Sequence, residues 1–300
     1  MRRLLESVPN FSEGRRPEVV EQIVAAASSV HGAHILDLHS DEDHNRSVLT
    51  LAGDTEAIQE AVFRATAKAG ELIDLRHHSG EHPRIGATDV IPFIPLGSAS
   101  MNDAIDAARA VGTRIADELK IPVYLYEESA STPERRNLEK IRGKGFEELR
   151  EAIRADASRE PDLGPKELHE SAGATVVGAR GPLIAYNIYL DTADVAVAKA
   201  IAKTIRYSSG GLRYVKALGL EIPARNQAQV SMNLTNFRKT GIHTVFAMVR
   251  DIAESYGVNI TDSEVVGLIP QDALIDAAKH YLRLHELAAD QILENRLMDE

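Results

Sequence analysis

The apolar residues change between alternating and helical spacing in the same order in both halves of the chain, and this repeated order limits the fold more than any other feature. In each half, a strand and a helix are followed by two strands, a second helix and a further strand. Such an order builds a mostly antiparallel or mixed sheet with helices packed on one face. We therefore predict an α+β fold of two similar subdomains, residues 1–181 and 182–300, with a small-molecule cleft between them.

The first half divides into strands and helices by the spacing of its apolar residues. Two alternating runs at 34–38 and 47–51 flank a polar turn, which predicts a hairpin. The other predicted strands cover residues 4–8, 90–94 and 123–126, and the predicted helices cover 17–30, 55–73, 101–119 and a charge-rich stretch at 133–157. Residues 9–14, 77–85 and 161–178 are predicted to be loops, because glycine, proline and polar residues cluster there.

The second half repeats the pattern with its own strands and helices. Its predicted strands cover residues 183–190, 212–218, 228–234 and 263–268, and its predicted helices cover 192–205, 240–256 and 271–297. In the strand at 228–234, the alternation predicts one apolar face and one polar face that includes Gln229 and Asn233. The apolar face would consist of Ala228, Val230, Met232 and Leu234.

Charge and cysteine content exclude several classes of function. The chain has 34 Lys and Arg against 45 Asp and Glu in 300 residues, a net charge of −11, which disfavours binding to nucleic acid. The absence of cysteine excludes a disulfide scaffold, thiolate metal sites and a cysteine nucleophile. No apolar run is long enough to span a membrane, and the first residues do not form a secretory signal. We therefore expect a cytoplasmic protein.

The densest cluster of reactive side chains lies at residues 77–89, in the loop before a predicted strand. His82 lies next to Glu81 and close to Arg84, a setting that can orient an imidazole for proton transfer near neutral pH. The alternative is a solvated loop with surplus histidines. His77 and His78 follow a helix C-terminus, which favours the protonated form, so we expect them to be bystanders.

A metal site is a competing interpretation of the same region. The available nitrogen and oxygen ligands would be His77, His78, His82, Asp41, Asp43 and His44. Their spacing argues against metal, because the chain has no His-Glu-x-x-His motif and the adjacent histidines would project in different directions. We predict no metal.

Several other polar or glycine-rich positions are candidates for substrate binding. Asn45 and Arg46 can hold a carboxylate or the edge of a heterocycle, although turn formation also explains Asn45. Arg180 can clamp a carboxylate bidentately beside small residues, although an interdomain linker is the alternative. The remaining candidates are Leu163, Gly164, Pro165, Gly178, Asn187, Gln229 and Asn233.

Six segments in the same order carry a resemblance to a known family. They are residues 8–15, 43–48, 80–87, 122–126, 173–180 and 228–234. Together they resemble the glutamate formimidoyltransferase family, the folate-dependent enzymes of histidine degradation. The resemblance covers most of the chain and concerns only the transferase portion, without the cyclodeaminase domain of the animal enzymes.

The resemblance implies two subdomains with folate bound between them and a loop histidine, which maps onto His82, as the catalytic acid and base. The folate-contacting segment of the family maps onto residues 163–172. The implied partners are small molecules, tetrahydrofolate as co-substrate and L-glutamate, and we expect a homodimer. Ser7 departs from the cysteine of many relatives, with no consequence for chemistry that uses no thiol.

The chemistry fits these residues. Transfer of a formimidoyl group between N5 of tetrahydrofolate and glutamate requires a neutral amine to attack and a protonated nitrogen to leave, and one imidazole can serve both steps. Both substrates are anions, so an acidic protein needs local cations; the candidates are Arg46, Arg84, Arg180 and Arg206. The alternatives are a formyltransferase that uses 5-formyltetrahydrofolate and a non-catalytic folate-binding protein.

Overall fold

The structure, a computed structural model, describes residues 2–42, 44–80 and 83–298. Its contacts divide the chain into two compact units, Met1–Arg180, here called unit 1, and Gly181–Glu300, called unit 2. Each unit combines strands with helices, so the predicted α+β class is confirmed.

Unit 1 contains one mixed sheet and the helices that cover it. Its strands are β1 (Arg3–Ser7), β2 (Asn10–Phe11), β3 (Ala33–Asp41), β4 (Arg46–Asp54), β5 (Thr88–Gly97), β6 (Val123–Glu127) and β7 (Thr175–Ala179). Its helices are α1 (Pro17–Ser28), α2 (Thr55–Leu72), α3 (Met101–Glu118), α4 (Leu138–Arg142) and α5 (Phe146–Ala155). The predicted hairpin of β3 and β4 and the three long helices are confirmed.

The sheet of unit 1 joins an antiparallel part to a parallel part. The strand order is β1-β4-β2-β5-β7-β6, with β3 paired to β4 and an additional pairing of β1 with β5. The pairs β5–β7 and β6–β7 are parallel, and the other pairs are antiparallel. In register, Val90 of β5 lies opposite Val176 of β7. The N-terminal ends of the three parallel strands therefore lie at one edge.

The predicted loop at 161–178 is wrong in its last part, because it contains most of β7. All five residues of β7 are buried, so the strand has no alternation between polar and apolar residues that sequence spacing would detect. The predicted loop at 9–14 likewise contains the two-residue strand β2. Both strands are short and take their stability from strands on either side of them.

The predicted helix at 133–157 is also wrong, because the segment is divided into α4, α5 and one-turn 3-10 helices. Gly143 has φ +54° and Gly145 has φ +106°, values that interrupt a right-handed helix and that favour glycine. Ile141 of α4 and Leu149 of α5 pack with Val90 and Val176 on one face of the parallel strands. The helices α1, α2 and α3 cover the opposite face.

Unit 2 has the predicted strand and helix order. Its strands are β8 (Ile184–Leu190), β9 (Val215–Ile222), β10 (Gln227–Leu234) and β11 (Ile260–Val266), and its helices are α6 (Val195–Ile205), α7 (Ile242–Ser255), α8 (Gln271–Leu282) and α9 (Leu293–Met298). The strand order is β11-β8-β10-β9, with every neighbouring pair antiparallel. The apolar face predicted for β10 is confirmed, since Ala228, Val230, Met232 and Leu234 are all buried.

The predicted final helix at 271–297 is wrong, because α8 ends at Leu282 and Arg283 adopts a left-handed conformation with φ +54°. Leu282, Leu293 and Leu297 are each more than 60% exposed, so the residues after α8 lack a buried apolar face. Since packing of such a face supplies most helix stability, the helix does not continue. Within the described ranges, no helix combines the length and apolar character needed to cross a bilayer.

Candidate active site

A small pocket in unit 1 brings together residues from the end of β2, the β3–β4 turn with the start of β4, and the loop before β5 with the start of β5. Its lining residues are Phe11, Ser12, His44, Asn45, Arg46, His78, Arg84 and Asp89. The cavity between them measures about 10 Å³, which is room for one water-sized group. Asp43, Glu81 and the predicted catalytic residue His82 lie outside the described residues, so the description of the pocket does not include them.

Backbone contacts hold the chain after β2 against the start of β5. The Ser12 amide donates to the carbonyl of Ala87 at 2.9 Å, and the Ser12 hydroxyl donates to the carbonyl of Gly86 at 2.7 Å. Ser12 is buried, and both of these bonds use its polar groups within the protein. These two bonds therefore hold Ser12, one of the lining residues, against the segment before β5.

Asn45 connects three segments around the pocket. Its side-chain oxygen accepts from the amide of Gly14 at 2.9 Å, and its side-chain nitrogen donates to the carbonyl of Ser79 at 3.0 Å. Its backbone is left-handed, with φ +48°, which asparagine tolerates better than most residues. The side-chain oxygen and nitrogen of Asn45 are therefore both hydrogen-bonded within the protein. Asn45 was predicted to bind substrate, and these contacts are those of a structural residue.

Arg46 supplies a positive charge to the pocket. Its guanidinium donates to the side-chain oxygen of Asn10. Burial, helped by the nearby charge of Arg142, lowers the pKa of Arg46 to about 10, while Asp89 and Asp41 oppose the shift. At neutral pH the group remains protonated, so the pocket of this acidic protein contains a cation suited to an anionic ligand.

Arg84 is a second cation of the pocket and is paired with an exposed carboxylate. It donates to both carboxylate oxygens of Glu147, at 2.9 and 3.2 Å, and to the carbonyl of His78 at 3.0 Å. The Arg84 side chain is 13% exposed, whereas that of Glu147 is 67% exposed. Hydrogen bonding from Arg84 lowers the pKa of Glu147. A ligand carboxylate can replace Glu147 at the cost of one largely solvent-exposed ion pair.

Asp89 and Arg142 form a buried ion pair beside the pocket that the sequence did not indicate. The side chains are 4% and 10% exposed, and Asp89 also accepts from the amide of Ile85 at 2.9 Å. Asp89 lies in the histidine-rich segment at 77–89, so the sequence could have indicated it as a candidate. Arg142 comes from the charge-rich stretch predicted to be one helix, and nothing in its spacing distinguishes it from its charged neighbours.

His78 lines the pocket, whereas His77 is exposed and does not. The Nε2 atom of His78 lies 3.1 Å from the carbonyl oxygen of Asn45, and its Nδ1 atom is buried without a hydrogen-bond partner among the described residues. Burial lowers the pKa of His78, and the charges of Arg84 and Arg15 lower it further, against the Asn45 carbonyl and Glu13. His78 therefore lies in the pocket, and the expectation that it is a bystander to the chemistry stays a prediction.

The predicted folate segment, residues 163–172, begins beside β6, and none of its residues lines this pocket. The amide and carbonyl of Leu163 both pair with Val123, and the Leu163 side chain packs against the core of unit 1. Gly164 has φ +84° and packs against Ala116. Pro165 follows directly. Leu163 and Gly164 therefore both have structural contacts within unit 1.

Gly178 and Arg180 lie at the C-terminal end of β7, away from the pocket. Gly178 is opposite Pro92 in the sheet, and a Cβ atom there would collide with the carbonyl oxygen of Tyr126. The close approach of β6 and β7 is therefore enough to explain why position 178 is glycine. The Arg180 amide donates to the carbonyl of Phe93 at 3.0 Å, and the Arg180 charge acts on Glu6, whose pKa is raised by burial.

The three predicted residues of unit 2 lie on β8 and β10. Asn187 donates to the carboxylate of Glu264 at 2.9 Å, and Gln229 is only 5% exposed. Asn233 is exposed. Arg206, another candidate cation, donates to the hydroxyl of Ser209 at 2.8 Å. These residues belong to unit 2 and are not part of the pocket described above.

No group of three or more His, Asp or Glu residues in the described part of the chain is arranged to hold a metal ion. The side chains proposed as ligands have other contacts. His44 pairs with Asp41 at 2.9 Å, and the His78 ring contacts the Asn45 carbonyl.

Comparison with protein families gives two matches that together span nearly the whole chain. Residues 4–180 match the family described as "Formiminotransferase domain, N-terminal subdomain". Residues 185–297 match the family described as "Formiminotransferase domain".

Individual relatives agree with these matches. A protein of Streptococcus pyogenes serotype M1 named glutamate formimidoyltransferase is 46% identical over 299 residues, which is 99% of this chain and 100% of the relative. One of the same name from Thermoplasma acidophilum is 47% identical over 98% of this chain and 97% of the relative. The formimidoyltransferase-cyclodeaminase of Mus musculus is 42% identical over 94% of this chain and 53% of the relative.

Proposed function

Because this chain belongs to the formiminotransferase family, we propose that it is a one-carbon transferase that moves a formimidoyl group between N-formimidoyl-L-glutamate and N5 of tetrahydrofolate. The observation that carries the proposal is full-length similarity to two proteins named for this activity. Tetrahydrofolate is then a co-substrate.

His82 is proposed as the general acid and base. It takes a proton from the ammonium group of glutamate, so that the neutral amine can attack the amidine carbon, and it returns a proton to N5 of the leaving folate. Acid–base catalysis of this kind contributes about 10²–10⁴-fold to a rate. Support comes from the sequence, in which His82 lies two residues before the pocket residue Arg84.

Arg46 and Arg84 are proposed to bind substrate carboxylates. Support comes from their common position in one pocket and from the exposed carboxylate of Glu147, which a substrate carboxylate can replace on Arg84. Arginine suits this role because its guanidinium can donate two parallel hydrogen bonds to one carboxylate. The proposed folate contacts of Leu163, Gly164, Pro165, Gly178, Arg180, Asn187, Gln229 and Asn233 remain predictions, as do a homodimer and residence in the cytoplasm.

The test is to incubate the parent protein and its His82→Ala variant with 5-formimidoyltetrahydrofolate and L-glutamate, and to measure N-formimidoylglutamate. We expect turnover by the parent and a loss of about 10²–10⁴-fold in kcat for the variant. His77→Ala is the matched control, because His77 is exposed and lies outside the pocket. Turnover of 5-formyltetrahydrofolate alone would establish a formyltransferase instead, and folate binding without turnover would indicate a binding protein.

A further inference from the structure

His78 has one ring nitrogen fixed by the protein and one without a partner. Its Nε2 atom lies within hydrogen-bonding distance of the Asn45 carbonyl oxygen, at 3.1 Å. A carbonyl oxygen only accepts, so Nε2 must carry the hydrogen, and in a neutral ring Nδ1 then carries a lone pair. Nδ1 is therefore an acceptor that no described side chain or backbone group satisfies.

The orientation of the ring is fixed by its surroundings. The carbonyl that receives Nε2 belongs to Asn45, whose amide is bonded to Gly14 and to Ser79, the residue after His78. On the other side, the His78 carbonyl accepts from Arg84 at 3.0 Å. Because these bonds hold both the loop and the turn, the ring cannot rotate to exchange its two nitrogens without losing the contact to Asn45.

The charges around His78 favour the neutral ring. Arg84 and Arg15 are cations whose charges act on His78, and the Glu13 carboxylate, the opposing charge, is paired with Arg16. An unsatisfied buried acceptor is costly, so Nδ1 needs a partner, and none of the described residues supplies one. A hydrogen-bond donor on a ligand, in the place of a water molecule, can be that partner.

The formimidoyl and formyl groups differ in whether their terminal atom carries a hydrogen. A formimidoyl group ends in nitrogen that carries hydrogen, whereas a formyl group ends in an oxygen that carries only lone pairs. The cavity that His78 helps to line measures about 10 Å³, so it admits a water-sized group such as one terminal nitrogen. A formyl oxygen at the same place would bring two acceptors together.

We propose that Nδ1 of His78 accepts a hydrogen bond from the terminal N–H of the formimidoyl group and thereby selects formimidoyl over formyl substrates. This inference rests on the proposed function and deepens it, because it assigns substrate choice to a residue other than His82. No proton is transferred to His78. Sites that accept a hydrogen bond from a substrate N–H can reject an analogue without it by up to roughly 10⁴–10⁵-fold.

The test compares binding of N-formimidoyl-L-glutamate with binding of N-formyl-L-glutamate by calorimetry, in the parent protein and in two variants. In His78→Gln, the longer amide reaches the position of Nε2 and retains a donor for the Asn45 carbonyl, but the Nδ1 acceptor is lost. In His78→Asn, the shorter amide reaches only the position of Nδ1, so an acceptor remains and the contact to Asn45 is lost. His77→Gln is the control for an exposed histidine.

We expect the parent to prefer the formimidoyl ligand, His78→Gln to lower that preference by about 10–100-fold, and His78→Asn and His77→Gln to retain most of it. An unchanged preference in His78→Gln, or no preference in the parent, overturns the inference. Equal loss in both His78 variants, with lowered melting temperatures, also overturns it, because a structural role would then explain the result. The proposed function is judged separately, by turnover of 5-formimidoyltetrahydrofolate by the parent.

Discussion

In the pocket of unit 1, neighbouring polar side chains differ in how far the protein already uses their hydrogen-bonding groups. Both ends of the Asn45 amide are used, Arg84 is held by an exposed carboxylate, and Nδ1 of His78 has no described partner. Asn45 was predicted to bind substrate and His78 to be a bystander, and residue type and spacing do not reveal which of their hydrogen-bonding groups the fold itself satisfies. Arg46 and Arg84 were predictable, since each lies within a conspicuous polar motif.

Substitutions of Arg84 and of Glu147 should change substrate affinity in opposite directions. We expect Arg84→Ala to raise the KM for N-formimidoylglutamate or folate by about 10–100-fold, because a charge-assisted hydrogen bond contributes ~1.5–3 kcal/mol. Glu147→Gln should lower that KM a few-fold, because the substrate carboxylate no longer displaces a charged competitor. Steady-state kinetics would measure both effects.

The control for this pair is Arg64→Ala, which removes another arginine–glutamate pair, on α2. Arg64 and its partner Glu60 are 47% and 31% exposed and do not line the pocket. Kinetic constants of this variant should match those of the parent. If Arg84→Ala leaves both KM values unchanged, Arg84 does not contact substrate.

The lowered pKa of His78 has a consequence for stability. The unfolded chain binds a proton near the ordinary histidine pKa of about 6.5, whereas burial keeps the folded side chain neutral to lower pH. Folding stability therefore falls as pH decreases through about 6.5, until the lowered pKa is reached. Urea unfolding at a series of pH values should show a smaller decrease for His78→Gln than for the parent. Equal slopes would contradict this assignment.

At the scale of elements, the predictable parts are those with clear periodicity. The β3–β4 hairpin and helices α1, α2 and α3 were predicted to within a few residues because alternation or helical spacing runs through each of them. The strand β7 was missed because its buried residues do not alternate. The break between α4 and α5 was missed because Gly143 and Gly145 resemble the isolated glycines that a helix can tolerate.

The break between α4 and α5 can be tested with Gly145→Ala, because a continuous helix and a broken helix predict opposite changes in the free energy of unfolding. In a continuous helix, Gly145→Ala would stabilise the protein by about 1 kcal/mol. With Gly145 at φ +106°, alanine is strained, and we expect the free energy of unfolding to fall by ~1–3 kcal/mol. Denaturant unfolding would measure it. The control is Gly181→Ala, where an added Cβ meets no atom within 4 Å and should have little effect.

At the scale of the whole molecule, composition gave expectations about partners but did not locate a binding site. The net charge of −11 argued against nucleic acid, but it also implied that anionic substrates require cations gathered at particular places. Of the four arginines selected on that ground, Arg46 and Arg84 lie in one pocket, Arg180 lies at the far end of β7, and Arg206 is in unit 2. Only tertiary structure could separate them, because strand order decides which sequence-distant residues become neighbours.

The left-handed backbone at Asn45 restricts which residues can replace it when this enzyme is engineered. Aspartate would place a carboxylate oxygen against the carbonyl of Ser79, and glycine would accept the backbone conformation but give up the bonds to Gly14 and Ser79. A variant library aimed at new one-carbon donors should therefore keep position 45 constant. Diversity is better placed at Glu147, where a changed side chain alters what the pocket offers a ligand and leaves the bonds of Asn45 in place.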